Sequence, residues 1–324
     1  MRLPYALTAV LLIAGCAAAR PDLGHEIAVP AELRTIQQAV DAAREGTTIL
    51  VAPGVYEESV RVKTRGLTIR GARRGSVIID GDAERANGIV VAAPQVSVQN
   101  LTVRNHTSNG VLISAQRDFR VSYVTASNNA LYGIHAFDAQ HGVIEQSYAS
   151  GSANAGFHVG QCRPCDVVVR GNVAERNATG YEGVNASGGM FVLGNRFSGN
   201  RVGLSSNAER GDVTLAGNLV SDNDEALSPA RADGAFGLGM SVTGQGTVLF
   251  RNLVIGNPGG DVVRGSGAPA KKSRAPRGIP VGQVAAPPVQ PEMPDGPAPG
   301  RTPDAGKYVL PDEDLFDDRA AVRS

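Results

Sequence analysis

The chain has 324 residues with 31 basic and 31 acidic side chains, so its formal net charge is zero. A protein that binds nucleic acid through its phosphates carries an excess of basic residues, and this balance therefore argues against a nucleic-acid partner. The 40 glycines, the 8 phenylalanines and the lack of tryptophan suit many tight turns and thin, repetitive packing better than a large aromatic core.

The N-terminus has the features of an export signal. The stretch MRLPYALTAVLLIAGCAAAR carries one arginine near its start and an apolar run that is too short for a comfortable membrane span. Its end, LIAGC, resembles the bacterial lipoprotein signal, in which the cysteine is lipidated and becomes the new N-terminus. We expect residues 1–16 to be this signal, with Cys16 lipidated, and residues 17–29 to be a linker. The lipid would hold the exported protein on the extracytoplasmic face of a cell membrane, with ordinary secretion as the alternative.

The stretch RTIQQAVDAAREG predicts a short helix. Thr35 and Gln38 match a capping box, and Gly46 is expected to end the helix. The apolar positions fall on one stripe, made of Ile36, Ala39, Val40 and Ala43. Because the end of a solenoid must be covered, we expect this helix to cap the N-terminal end of the repeats that follow.

Asparagine and glycine recur at regular intervals, with a period of about 23 residues. Each repeat holds short alternating apolar runs bounded by turn residues, which is typical of strands, and asparagines at equal positions can bond one another across the stack. The next matching pair after Asn223 is Asn252 and Asn257, a longer step than the others, so the segment EALSPARADGA is expected to carry an insertion. The period predicts one coil of a parallel β-helix per repeat. The recurring residues are Asn172, Asn195, Asn218; Asn154, Asn177, Asn200, Asn223; and Gly88, Gly110, Gly133, Gly156, Gly180, Gly203.

The stretch TIQQAVDAAREGTTILVAPGVYEESVRV, followed by these coils, resembles the right-handed β-helix proteins of the pectin-lyase-like superfamily. This group includes carbohydrate-binding and sugar-hydrolysis repeat domains, mannuronan epimerases and the NosD protein associated with copper-enzyme maturation. The resemblance covers roughly residues 30–263. It implies an all-β, single-stranded right-handed parallel β-helix with a short N-terminal capping helix, and it leaves the activity open. Residues 264–324 are rich in proline and glycine, which predicts a disordered tail.

Aligning the coils on their glycines places two histidines side by side. The residue that follows each glycine is apolar or aromatic, so this column faces the core and the next column faces outward. His135 and His158 occupy the outward column on adjacent coils, roughly 5 Å apart at their bases, and Glu182 lies one coil further on. An alignment on the asparagines would instead turn Tyr181 outward and Glu182 inward, but the glycine alignment keeps Leu204 inside.

This outward column supports three interpretations. In a glycan site, a base removes the proton beside a uronate carboxylate while a cation stabilises the charge that develops. The partner would then be a polysaccharide or another cell-envelope glycan, and the reaction that of a lyase or an epimerase, although the Asp-Pro-His pattern of some mannuronan epimerases is absent. The candidate catalytic residues are His135, His158 and Glu182, and the candidate substrate-binding residues are Tyr132, Arg117, Arg163 and Asp138.

The other two interpretations involve no chemistry on a sugar. Two imidazoles and a carboxylate could hold Zn²⁺ or Cu²⁺ at His135 and His158, but side chains on a flat strand face diverge. No cofactor is predicted, and Ca²⁺ or a transition metal stays open as an alternative. Alternatively, the outer face is simply polar. It would then bind a glycan passively or form the surface of a scaffold.

The CxxC stretch is predicted to be a disulfide. An exported chain meets an oxidising compartment, in which Cys162 and Cys165 would pair. The stretch lies between two strand runs, with Pro164 in the turn, whereas a thioredoxin-type motif opens a helix. Metal binding and redox activity are the alternatives.

Overall fold

The computed structural model of the protein describes residues 25–208, 213–224, 236–243 and 247–264. The predicted signal with Cys16, the predicted insertion EALSPARADGA and the predicted tail from residue 265 onward lie outside the described residues. Within the described ranges, no helix is long and apolar enough to cross a membrane.

The described chain consists of strands and one short helix, α1, which spans Ile36–Ala42. The first half contains β1 (Glu26–Val29), β2 (Thr48–Val51), β3 (Gly54–Tyr56), β4 (Val60–Val62), β5 (Thr68–Gly71), β6 (Val77–Asp80), β7 (Asn87–Val91), β8 (Ser97–Arg104), β9 (Asn109–Ser114), β10 (Arg117–Ser127), β11 (Tyr132–Phe137), β12 (Gln140–Glu145) and β13 (Tyr148–Ser150). The second half contains β14 (Ala155–Gly160), β15 (Val167–Arg170), β16 (Val173–Glu175), β17 (Thr179–Val184), β18 (Met190–Leu193), β19 (Arg196–Ser198), β20 (Val202–Ser206), β21 (Val213–Ala216), β22 (Leu219–Ser221), β23 (Leu238–Val242), β24 (Thr247–Phe250), β25 (Leu253–Ile255) and β26 (Gly260–Arg264).

These strands form a right-handed parallel β-helix, as the sequence predicts. A nine-stranded parallel sheet runs in the order β26, β23, β20, β17, β14, β11, β9, β7 and β4. The other seventeen strands form a second sheet, which folds around the remaining two faces of the solenoid. One coil therefore gives one strand to each face: β12, β13 and β14 are followed one coil later by β15, β16 and β17.

The corners between the faces explain why asparagine and glycine recur along the chain. At one corner, successive coils place a residue with positive φ at the same position, a left-handed backbone conformation that asparagine, aspartate and glycine adopt most readily. Corner residues stack through backbone hydrogen bonds from each coil to the next. The stacked residues are Asn105, Asn128, Gly151, Arg176, Gly199, Asp222 and Gly256.

The column after the glycines fills the core. In the nine-stranded sheet, Phe157 pairs with Ile134 on one side and with Tyr181 on the other, and Tyr181 pairs with Leu204. All four side chains are at most 1% exposed. The glycine alignment is therefore confirmed, and the alternative that turns Tyr181 outward is wrong.

The asparagine columns form two buried ladders. In each, a side-chain amide donates to the side-chain oxygen of the next asparagine, as Asn195 does to Asn218 at 3.0 Å, and the ladders continue across the longer step to Asn252 and Asn257. Asn154 is the exception to the prediction. The position below Asn177 is occupied by Ser152, whose backbone N donates to Asn177 Oδ1 at 3.0 Å. Asn154 lies instead in the turn that leads into β14, where its backbone N donates to the Leu131 carbonyl oxygen at 2.9 Å.

The N-terminal helix caps the solenoid and is shorter than predicted. Thr35 Oγ1 accepts a hydrogen bond from Gln38 N at 3.1 Å, and the Glu58 carboxylate accepts the backbone N–H groups of Ile36 and Gln37. The helix ends at Ala42 instead of near Gly46, because the backbone is already extended at Ala43, and Gly46 lies in the turn before β2. The first coil also begins earlier than expected, since β1 lies within residues 17–29 and pairs with β2.

Candidate functional site

Three neighbouring strands of the nine-stranded sheet bring the outward residues together. His135 on β11 pairs with His158 on β14, and His158 pairs with Glu182 on β17. The sequence predicts this register. Because like positions on adjacent coils lie about 4.8 Å apart, three functional groups that are distant in the sequence become neighbours.

Tyr132 joins these residues to form one group, which we call the histidine cluster: Tyr132, His135, His158 and Glu182. The Tyr132 ring lies 4.3 Å from the His135 ring and 4.8 Å from the His158 ring, measured between centroids. The two imidazoles are 4.6 Å apart and almost perpendicular, with an interplanar angle of 87°. His158 Nε2 is 3.8 Å from Glu182 Oε2. The phenol is therefore in contact with both imidazoles.

The cluster is more buried than an outward-facing column suggests. His158 is 5% exposed and Glu182 is 7% exposed, while Tyr132 and His135 are partly buried. His158 and Glu182 thus lie in the outward column, as predicted, but their side chains are buried. The physical reason is mutual packing, because the Tyr132 ring lies against both imidazoles and each side chain shields its neighbours from water.

His135 is held in one orientation by Asn109. The Asn109 Nδ2 group donates to Asn87 Oδ1 at 2.7 Å and to Ser108 Oγ at 3.0 Å, so its Oδ1 atom is left as the acceptor for His135 Nδ1 at 3.3 Å. This arrangement puts the ring proton on Nδ1 and leaves a lone pair on Nε2. Within the described residues, Nε2 is buried and has no hydrogen-bond partner.

Burial keeps His135 neutral. Together with the smaller effect of the neighbouring His158 imidazole, it lowers the pKa of His135 from 6.5 to about 2. A base with so low a pKa takes up protons poorly near neutral pH. His135 is therefore not suited to removing a proton from carbon.

The position of His158 depends on Gly160. A Cβ atom on residue 160 would lie 2.6 Å from His158 Cε1 and 2.7 Å from the Val184 carbonyl oxygen, distances at which something must shift. The absence of a side chain thus lets the imidazole lie along the strand. The Glu182 carboxylate lies beside this imidazole.

The candidate substrate-binding residues other than Tyr132 lie around the cluster and not in it. Asp138 is exposed and directly follows β11, and Arg163 is exposed in the turn after β14, where its Nε donates to Ser187 Oγ at 3.2 Å. Arg117 begins β10 in the other sheet, with Nε 3.4 Å from the Asp118 carboxylate. The structure places Tyr132 with the histidines, while these three residues lie beyond the downstream ends of strands of the nine-stranded sheet.

The predicted disulfide is confirmed. Cys162 and Cys165 are bonded, with both side chains fully buried. The loop between them makes this coil longer than the one before it. More residues separate Gly142 from its partner Val167 on the next coil than separate Phe137 from its partner Gly160. The disulfide therefore closes an insertion that begins shortly after Gly160. Sulfur ligands for a metal are excluded in this oxidised form.

The metal interpretation gains no support from the geometry. Across the ranges that the structure describes, no group of three or more His, Cys, Asp or Glu side chains is placed to hold a metal ion. His135 also directs its Nδ1 at Asn109, and the two imidazole planes are nearly perpendicular.

Sequence reasoning missed three residues of this face: Asn109, Phe137 and Gly160. Each could be found in the same alignment. Asn109 occupies the column before the glycines, where it pairs with Tyr132, and Phe137 pairs with Gly160 two positions after the histidines. Strand parity puts Phe137 and Gly160 on the outer face with the histidines. Extending the alignment by two residues beyond the histidines would therefore have included them.

Comparison with known proteins identifies the repeats and little else. The family model described as a right-handed β-helix region matches residues 109–273, just over half of the chain. No curated protein sequence matches the chain.

Solved structures with a similar course of the chain include three enzymes. The A-module of mannuronan C-5 epimerase AlgE6 from Azotobacter vinelandii has 16% identity and a TM-score of 0.47, with 71% of this chain and 74% of that chain covered. Pectate lyase Pel9A has 15% identity and a TM-score of 0.47, covering 65% and 64%. Alginate lyase from Paenibacillus sp. str. FPU-7 has 14% identity and a TM-score of 0.46, covering 74% and 97%. TM-scores this low do not indicate that the chain shares the activity of these enzymes.

Proposed function

The chain belongs to the right-handed β-helix family, and we propose that it is an exported protein that binds an acidic polysaccharide on the outer face of the nine-stranded sheet and transfers a proton there. One observation carries the proposal. Two imidazoles, a phenol and a carboxylate from three successive coils meet in the histidine cluster. Groups of this kind act as general acids and bases when they lie within reach of one another.

The proposed roles follow from the contacts. His158, beside the Glu182 carboxylate, takes the proton from the carbon next to a uronate carboxylate, and Glu182 stabilises the imidazolium that forms. The electron pair left on carbon then forms a double bond as the neighbouring C–O bond breaks, and Tyr132 donates a proton to the departing oxygen. In an epimerase the same carbon instead receives a proton on its opposite face.

The remaining residues position the reacting groups or bind the substrate. His135 is neutral and packs against the Tyr132 and His158 rings, so its role is to position these two groups. Arg163 and Arg117 are the cations for uronate carboxylates, and Asp138 accepts a hydroxyl, because all three border the cluster at the ends of the strands. The cationic contacts are needed to stabilise charge that develops on the carboxylate.

A turnover screen tests this function. The protein is incubated with alginate and polygalacturonate, while ultraviolet absorbance reports unsaturated products and NMR reports epimerised ones. His158→Gln should lose turnover at least about 100-fold, as expected for removal of a general base. The matched control is His141→Gln, because His141 also has a carboxylate partner, Asp166, at 3.7 Å, but lies in the other sheet. Equal activity of wild type and His158→Gln would contradict the assignment.

The burial of His158 and Glu182 favours a second candidate function, noncatalytic glycan binding by a scaffold protein. A cluster that is packed against itself can stabilise the stack of coils without reacting. Binding without any product in the turnover screen would support this function over catalysis.

We further propose that the protein is exported and held at a membrane by lipid on Cys16. The LIAGC stretch and a disulfide, which forms in oxidising compartments, support this proposal. Metabolic labelling with a radioactive fatty acid should mark wild-type protein and not Cys16→Ser, and wild type should fractionate with membranes. An unlabelled wild-type protein in the soluble secreted fraction would refute lipidation while leaving export intact.

A further inference from the structure

Phe137 is an exposed aromatic side chain in the middle of the solenoid. Among the large hydrophobic side chains of the described ranges that are exposed, one lies in the second coil and most lie in the last coils, where the stack ends. Phe137 alone lies in the middle, on β11, and it is 44% exposed. The others are Val55, Phe236, Val248, Leu253, Ile255 and Val262.

The surroundings of Phe137 leave its ring accessible. It is on the same outward face as His135, with ring centroids 5.9 Å apart and an interplanar angle of 77°. Its paired neighbours on the adjacent coils are Ser114 and Gly160, both small. The ring therefore projects from the sheet between residues that do not cover it, directly beside the histidine cluster.

We infer that Phe137 is a stacking platform for one sugar ring of the bound chain. This inference rests on the proposed function and adds a subsite to it. A pyranose has an apolar C–H face and a polar edge, so it can cover an aromatic ring while its hydroxyls remain solvated. A protein partner is disfavoured, because one aromatic side chain in polar surroundings is far smaller than a stable interface requires.

The geometry also sets a minimum length for the ligand. The centroids of His135 and Phe137 are separated by roughly the span of one sugar unit, so a ring on Phe137 places the next unit over the histidine cluster. The ligand is therefore an oligosaccharide or polysaccharide of at least two units that runs along β11. A monosaccharide cannot occupy both positions.

Affinity electrophoresis of the full chain tests the inference. Wild type, Phe137→Ala and Phe137→Tyr are run through gels that contain alginate or polygalacturonate, with dextran as the neutral control. Phe137→Ala should bind about tenfold more weakly, as truncation of a central aromatic contact does, and Phe137→Tyr should retain the affinity. The matched control is Phe236→Ala, because Phe236 is 41% exposed but lies near the end of the stack.

The outcomes separate this inference from the proposed function. Weakened binding in Phe137→Ala, with Phe236→Ala like wild type, supports the platform. Unchanged binding in Phe137→Ala overturns it, while wild-type binding still supports the polysaccharide site. An equal loss in Phe236→Ala also overturns it. If wild type is retarded in neither acidic gel, both the proposed function and the platform are refuted.

Discussion

Burial of His135 should make the folded protein sensitive to mild acid. In the unfolded chain this imidazole titrates near its ordinary pKa of 6.5, but in the folded protein its pKa is about 2. Below about pH 6.5 the unfolded state therefore binds a proton that the folded state does not bind. The free energy of unfolding is then highest above that pH, as far as His135 is concerned, and it falls as the pH decreases.

The size of the effect follows from these two values. Between about pH 6.5 and the folded-state pKa, each unit of pH removes about 1.4 kcal/mol from the free energy of unfolding. At about pH 5 the contribution of His135 is a loss of about 2 kcal/mol relative to pH 8. This loss is a sizeable fraction of the stability of an ordinary domain.

Urea unfolding at about pH 8 and pH 5 measures this loss. His135→Leu is a suitable variant, because Leu112 occupies the same column on the preceding coil. The variant should lose about 2 kcal/mol less than wild type between the two pH values. Buried His106 is present in both proteins, so its own titration cancels in the comparison. Equal losses in wild type and His135→Leu would refute the argument from burial.

The tautomer of His135 gives an independent check on the same site. The Asn109 contact predicts a neutral ring with its proton on Nδ1. In wild type, nitrogen-15 chemical shifts should report this state at about pH 7, and Asn109→Ala should shift the population toward the Nε2-protonated form. A wild-type spectrum of the Nε2-protonated form would contradict the hydrogen-bond assignment.

Three further changes test the fold around the cluster. Gly160→Ala should destabilise the protein by about 1–3 kcal/mol in urea unfolding and impair polysaccharide binding, because the added Cβ would clash with His158. The control Gly75→Ala should be nearly neutral, because a Cβ atom there would meet no atom within 4 Å. Asn195→Ala should cost about 2–4 kcal/mol in the same assay, because it removes buried ladder bonds on both sides, and a loss below about 1 kcal/mol would contradict the ladder's role. Reduction of the disulfide should lower the free energy of unfolding by at most about 2 kcal/mol, since the loop it closes is short, and a larger loss on thermal unfolding with reductant would count against this estimate.

The parts of the fold that repeat could be predicted from the sequence. The regular period together with strand parity places Phe157 in the core and His158 on the outer face, and both placements are observed. The ladder through Asn195 follows from the same period. Periodicity succeeds here because each coil makes the same backbone bonds with its neighbours, so equal positions meet equal environments.

The parts that depend on side-chain direction could not be predicted. The column assignment of Glu182 does not reveal that it is 7% exposed, because its burial depends on how neighbouring rings tilt. The role of Asn109 requires knowledge that its amide bonds both Asn87 and His135 across two coil boundaries. Asn154 misleads a count of residues, since turns differ in length between coils and the spacing alone cannot show which residues stack.

The position of the cluster coincides with the place where the solenoid departs from its own repeat. In the outward column, Leu112 precedes His135 and Ser205 follows Glu182, so three consecutive coils carry ionisable groups there, and Arg61 lies in the same column two coils before Leu112. The coil in the middle of the three also carries Gly160 and the disulfide-closed insertion. A regular solenoid needs neither feature for stacking. Because local rules are broken where a site imposes its own demands, this coincidence supports the proposed site.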